Sequence, residues 1–236
     1  MTNFKYAGSE LELFAAAHNW KSYWSDRVRP FIDGDVLEVG AGIGANTLYL
    51  DRGGNRRWVC LEPDQQLATQ LTVNLGHAPG VYEVVCSPLQ GLKASPQFDT
   101  VVYIDVLEHI ENDREELESA ALLLRAGGRL VVLAPAHQWL FTPFDAAIGH
   151  CRRYDRRMLR RLSPLGLRIE QLWYLDSVGL ALSFANREFL HQSMPTNAQI
   201  RFWDQYVVPV SRVLDRCFFG SVGKSIVGIW RRERGI

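Results

Sequence analysis

The chain has 236 residues, 47% of them hydrophobic, and its 26 basic and 26 acidic side chains cancel to zero net charge. That length fills one α/β domain and is short for two, and the charge balance supplies no global field for nucleic acid or an anionic membrane surface. The start MTNFKYAGSE lacks the pattern of a signal peptide, and the most apolar run, SVGLALSFANREFL, is broken by Asn186, Arg187 and Glu188 before it reaches the ~18 residues of a membrane span. Cys60, Cys86, Cys151 and Cys217 are widely spaced without a C-x-x-C pair, so reduced thiols in a cytoplasmic protein are expected, with no disulfide framework and no metal.

Ser9 and Glu12 form an S-x-x-E capping box that predicts a helix over residues 10–28, stopped by Pro30 and the DGD at 33–35. From there strand and helix alternate. DVLEVG (35–40) reads as a strand and GANTLYLDRG (44–53) as a helix closed by Gly53 and Gly54. RRWVCLE (56–62), VYEVVC (81–86), FDTVVYID (98–105) and RLVVLAP (129–135) are further strands. Helices fall between them at 63–76 and, with a glycine stop, at 112–128. LRIEQLWYL (167–175) is a sixth strand and KSIVGIW (224–230) a last one, expected as an antiparallel edge. Short apolar strands alternating with amphipathic helices predict parallel crossovers covered on both faces. The expected architecture is a single α/β domain over 1–236, a Rossmann-like, doubly wound, mostly parallel seven-stranded sheet. Residues 1–33 form a helical lid in this reading, and 176–219 a helical cap.

VLEVGAGIGANT (36–47) runs a strand into a glycine turn and a helix, presenting backbone N–H groups and the positive helix end to a ligand. The spacing is G-x-G-x-G, with Ala45 where a dinucleotide fingerprint has its third glycine. Glu38 would repel a pyrophosphate and suits an ammonium or sulfonium. Glu62, 18 residues past Gly44, ends the second strand where an acid can accept both ribose hydroxyls. A phosphate-free nucleoside with a positive centre, S-adenosylmethionine, fits both.

This stretch resembles motif I of the class I S-adenosylmethionine-dependent methyltransferases, and LEPD (61–64) their acidic second motif. FDTVVYIDVLEHIEND (98–113) is similar to the fourth-strand motif of the small-molecule branch that includes ubiquinone-biosynthesis methyltransferases, and RAGGRLVVLAP (125–135) to their fifth-strand region. The resemblance covers roughly residues 30–175. It implies that Glu38 and the backbone at Gly40, Gly42 and Gly44 surround the methionine part of the cofactor, with Asp105 and Val106 beside it. Glu62 falls on the ribose, and Pro63 and Asp64 beside the adenine. Relatives often carry an acid after the third strand, where this chain has CSPLQGL, so Ser87, Leu89 and the backbone are expected to serve the adenine.

Methyl transfer requires alignment of a nucleophile, exclusion of water and, for oxygen or nitrogen acceptors, removal of a proton. His109, in DVLEHI, is one catalytic candidate, Glu108 being read as solvated. After the fifth strand, PAHQWLFTPFDAAIGHCRRYD resembles a bacterial subgroup with a GH-x-RRY signature. It offers His150 as base or substrate hydrogen-bonder, with His137, Arg152, Arg153 and Tyr154 as substrate contacts. Tyr6, in the segment that in relatives folds over the cofactor, is another. Arg156, Arg157, Arg160 and Arg161 continue the basic pairs onto a helix capped by Asp155, read as a solvated face. The cap carries Phe184, Phe189, Phe202, Trp203, Tyr206, Phe218 and Phe219, an apolar roof for a hydrophobic, aromatic or lipid-like acceptor, a homodimer face, or an interfacial helix.

Two rival readings are an NAD(P)-dependent oxidoreductase and a non-catalytic S-adenosylmethionine-binding protein. Against the first, none of Lys5, Lys21, Lys93 and Lys224 stands four residues after a tyrosine. Nucleic-acid modification is disfavoured because no N/D-P-P-Y/W motif follows the fourth strand.

Overall fold

The computed structural model describes residues 14–51, 53, 57–78, 80–185 and 196–233; Ser9, Glu12, Tyr6 and Phe189 lie outside them. The elements in chain order are α1 (His18–Val28), β1 (Asp35–Val39), α2 (Thr47–Leu50), β2 (Arg57–Leu61), α3 (Gln65–Leu75), β3 (Tyr82–Val85), β4 (Phe98–Ile104), α4 (Asp113–Leu123), β5 (Leu124–Pro135), α5 (Pro143–Ala147), α6 (Arg156–Arg161), β6 (Leu167–Leu175), α7 (Ser177–Ala185), α8 (Asn197–Phe202), a π turn (Trp203–Val207), α9 (Val208–Cys217) and β7 (Ser225–Arg232). The seven strands form one sheet in the order β3-β2-β1-β4-β5-β7-β6. Strands β1 to β5 pair in parallel, while β7 pairs antiparallel with both β5 and β6. Of the helix expected over residues 10–28, residues 10–13 lie outside the described ones, Phe14 and Ala15 are helical, the chain breaks at Ala16 and Ala17, and α1 runs from His18. A 3-10 turn holding Pro30 follows it.

Three element boundaries differ from the sequence reading. The helix expected over 44–53 is confined to Thr47–Leu50, because Asp51 turns extended and its Oδ1 accepts the Gly53 N–H at 2.9 Å. The helix expected to reach its glycine stop at Gly127 and Gly128 ends at Leu123, and Leu124 already pairs with Phe98. Arg232 donates to the Ala121 carbonyl at 2.9 Å, capping that helix from another strand, while Arg125 is drawn to Asp99 and Asp35 at 2.7 and 2.8 Å. The antiparallel edge consists of two strands: the C-terminal one lies one place in, and β6 is outermost.

Side chains alternate across the sheet and build an apolar core on each face. Leu37, Val101, Leu130, Val132 and Trp230 pack under α4 with Leu117 and Ala120. Val36, Trp58, Val102, Val131 and Ile229 pack with Trp20, Tyr23, Trp24 and Val28 of α1. Each such large side chain contributes about 1.5–3 kcal/mol on burial.

On the second face the core contains acids. Glu38, 2% exposed, accepts the Trp58 indole N–H at 2.9 Å. Burial pushes its pKa up to about 7, against the pull of that hydrogen bond. The cap is fastened by three more carboxylates. Asp176, with φ +68°, accepts from Gly179 N, Ser211 Oγ and Trp203 Nε1 at 2.6–2.9 Å. Asp215 accepts from Tyr23 Oη, Asp176 N and Ser177 N at 2.7–3.0 Å. Asp204 accepts the Trp20 and Asn19 N–H groups at the start of α1.

Two outcomes follow. Asp215→Ala leaves three buried donors unpaired and is expected to cost about 2–4 kcal/mol in urea unfolding; an unchanged midpoint would show that the cap does not hang on this group. Because the folded-state pKa of Glu38 is raised, its stabilisation is present below the usual carboxylate pKa and is lost as pH rises through about 7. Glu38→Gln therefore gains about 1–3 kcal/mol relative to wild type between pH 5 and pH 8. Parallel pH–stability curves for the two proteins would contradict this.

Candidate active site

Outside the carboxyl ends of the parallel strands lies a cavity of about 1200 Å³, larger than the ~300–1,000 Å³ that holds one small ligand. Its floor is the backbone at 39–43, Leu61–Pro63 and Ser87–Gln90, with Ile104–Val106 and Glu108–Glu111 continuing it. Trp20, Lys21 and Trp24 of α1 form one wall, and Leu182, Ile200, Phe202 and Trp203 of the cap form the roof. This is the position expected for a ligand at the reversal point of an open α/β sheet.

The turn after β1 is built for close approach. Gly40 has φ +67°, and a Cβ there would lie 2.7 Å from Val106 Cγ2, so only glycine lets the loop after β4 close on it. The N–H groups of Gly40 and Ala41 bond to the Leu61 carbonyl at 2.8 and 3.1 Å. Glu62 ties this turn to the next: Oε2 accepts the Gly42 N–H and Oε1 the Asp64 N–H, both at 2.9 Å. Burial raises its pKa and these two N–H bonds oppose the shift. One lone pair per oxygen remains toward the cavity, the stereochemistry for two ribose hydroxyls. Beyond it, Pro63, Leu67, Ser87 and Leu89 form a mostly apolar slot. Asp64, expected beside an adenine, instead caps α3, its Oδ1 accepting from Gln66 N and Leu67 N.

Asp105, with φ +54°, opens onto the cavity next to Val106. Burial raises its pKa, against the lowering fields of His150, Lys21 and Lys224. Lys21 and Lys224 both line the cavity and escaped the sequence reading. Lys21 Nζ donates to the Ala45 carbonyl at 3.2 Å, and burial brings its pKa down to about 8. Lys224 Nζ stands 5.3 Å from the Trp203 ring centre. In sequence they were isolated lysines on a helix and at a strand start, with no spacing to mark them.

At the far end the chain gathers a polar cluster. Glu108, read as solvated, is 0% exposed, and neither carboxylate oxygen has a hydrogen-bond partner; the correction follows from the 3-10 turn Leu107–His109, which folds it inward. Its pKa is raised well above the usual range by burial and by Asp105. The His109 and His150 rings meet edge to face at 4.6 Å, and burial together with His150 lowers the His109 pKa to about 4. His150 Nδ1 lies 3.0 Å from Asp145 Oδ1, and its Nε2 lies 3.8 Å from Glu108 Oε1. Asp145 is clamped by Arg153 through two 2.9 Å bonds and by the Thr142 N–H. Burial would raise the Asp145 pKa, but His150 and Arg153 hold the carboxyl well below its usual range.

Several sequence candidates are placed elsewhere. The Glu38 carboxylate is not among the cavity-lining groups and turns to Trp58, because its strand position faces the second core. Gly44 packs on Leu71 of α3. His137, with φ +68°, bonds through Nε2 to the Gly223 carbonyl and stacks on Tyr174. Arg152 pairs with Asp113 at 2.6 Å, and the fully buried Tyr154 Oη lies 2.9 Å from the same carboxylate. Those three residues hold the loop after β5 in place and line no part of the cavity. Of the GH-x-RRY segment, Gly149, His150 and Arg153 reach it.

The family model described as "Methyltransferase domain" matches residues 37–132, from β1 into β5. No curated protein matches the sequence. Among solved structures, the [4+2]-cyclase SpnF is similar over 97% of this chain and 95% of its own, with a TM-score of 0.63 at 14% identity. The N-methyltransferase NodS from Bradyrhizobium japonicum WM9 is similar over 92% of this chain and 97% of its own, with a TM-score of 0.58 at 13% identity. A second structure of NodS is a complex with S-adenosyl-l-homocysteine and has a TM-score of 0.56 at 13% identity, over 92% of this chain and 88% of its own. The matched segment is the one that builds the glycine turn, the Glu62 bridge and the Asp105–Val106 loop, so this part of the chain is similar to a methyltransferase domain.

Proposed function

We propose that the chain moves the methyl group of S-adenosylmethionine to a small acceptor with an apolar, aromatic or lipid-like body, in the cytoplasm and without nucleic acid as substrate. The observation that carries this reading is the division of one cavity into two unlike ends. The backbone at Gly40 and Gly42 and the side chains of Asp105 and Val106 would hold the methionine part. Lys21 would take its carboxylate, Glu62 the ribose, and Pro63, Ser87 and Leu89 the adenine. The bound cofactor supplies a methyl carbon already activated by its sulfonium.

The chain's own work is then alignment and proton management. Leu182, Ile200, Phe202 and Trp203 exclude water and grip the acceptor's body. His150, aimed by Asp145, and His109 face the acceptor's hydroxyl or amine and relieve it of its proton. Arg153 acts through Asp145, fixing the imidazole's orientation.

A SpnF-like fold hosts a [4+2]-cyclase, so the reaction is argued from the site, not from the architecture. Calorimetry provides the test. S-adenosylmethionine and S-adenosylhomocysteine are expected to bind with micromolar-class affinity and NADH not at all, and Glu62→Ala is expected to weaken both at least tenfold. With an acceptor in hand, His150→Ala should lower kcat by about 10²–10⁴. Binding of NADH alone would reverse the assignment.

A further inference from the structure

The acceptor end of the cavity has the make-up of a metal site. Among the described residues, Glu108, His109 and His150 each offer one ligand atom, and these atoms lie within 4.8 Å of one another. Two imidazoles and one carboxylate form a set that first-row divalent ions take up, with further positions left open.

Three observations separate this cluster from a chance meeting of polar groups. Glu108 is 0% exposed with both oxygens unpartnered, although its side chain borders the cavity. A buried carboxyl group without a hydrogen bond either stays protonated or is ionised against a cation, and the pair of imidazoles beside it supplies the other ligands such a cation needs. Behind His150, Asp145 Oδ1 stands 3.0 Å from Nδ1, leaving Nε2 turned to Glu108. That carboxylate–imidazole arrangement is the one that orients a metal-ligating histidine and raises its basicity. Lastly, the nearest guanidinium, Arg153, is neutralised by its two bonds to Asp145, so it does not oppose a cation beside His150.

We propose that Glu108, His109 and His150 bind one first-row divalent transition-metal ion, its open positions facing the cavity. The ligand class that completes such a site is an oxygen donor, either water or the hydroxyl of an acceptor. Donor atoms sharing one ion sit ~3–3.5 Å apart, so side-chain rotations of the two rings and of Glu108 close the set. With the ion bound, the two imidazoles hold it in place of taking the acceptor's proton; that use in methyl transfer rests on the proposed acceptor pocket, whereas binding of the ion does not.

The test is titration of the chelator-treated, full-length protein with Co²⁺, followed by visible absorption, and with Zn²⁺ and Mn²⁺ by calorimetry. One equivalent is expected, with an absorption band diagnostic of nitrogen and oxygen ligands. Glu108→Gln, His109→Ala and His150→Ala should each weaken binding at least tenfold, and Asp145→Asn by about 10–100-fold through His150. S-adenosylhomocysteine binding without metal, unchanged in these variants, shows that they are folded. Failure of the wild type to bind an ion saturably, or equal affinity in wild type and variants, would overturn the site. An ion bound without any S-adenosylhomocysteine affinity would leave this inference standing and remove the methyltransferase pocket, and the opposite pattern would do the reverse.

Discussion

The cofactor edge depends on one carboxylate that bonds main chain on both sides. Glu62 holds the Gly42 N–H with one oxygen and the Asp64 N–H with the other, so the turns after β1 and β2 cannot move independently. The first turn is itself closed by hydrogen bonds to Leu61 and by the fit of Gly40 against Val106. The loops after β1, β2 and β4 are thus locked into one surface. Such preorganisation leaves little to reorganise at the moment of reaction, and it falls on the backbone that approaches the ligand most closely.

The remainder of the cavity is organised by buried charge. Along the floor, Asp105 stands in the fields of Lys21, Lys224 and His150. At the far end, Arg153, Asp145 and His150 form a chain of short contacts ending against Glu108. The roof is apolar. A ligand entering this space meets charged groups along the floor and at the far end, and apolar side chains overhead.

Much of this was legible in the amino-acid sequence. Strand positions were readable because buried parallel strands are short apolar runs punctuated by glycine and acid, as in VLEVG and VVYID. The first and second motifs, with Asp105 and Val106, lie on contiguous segments, so their spacing encodes their geometry. The direction of Glu38 was not readable: an acid two residues before the turn looks free to face a ligand, but strand alternation aims it at Trp58. Glu108 and His109 are neighbours, yet only the 3-10 turn decides that the acid goes inside. Lys21 and Lys224 meet the same cavity from segments far apart in the chain, and no local pattern reports that. His137, Arg152 and Tyr154 shared a segment with His150, but contiguity placed them on its supporting side.

Helix α1 has no side-chain cap from its own segment. Its first free N–H groups are satisfied by Asp204, a residue 184–185 positions downstream, and Tyr23 on the same helix reaches Asp215. The wall carrying Trp20, Lys21 and Trp24 therefore gains its anchorage only once residues 204–215 have been made. During synthesis from the ribosome β1 to β5 can pair as they emerge, while the enclosing wall waits, like the β7 and β6 edge, for the segment beyond residue 200. A product ending before residue 200 would keep the glycine turn and the Glu62 bridge yet lose the anchor of this wall, so enclosure depends on contacts distant along the chain.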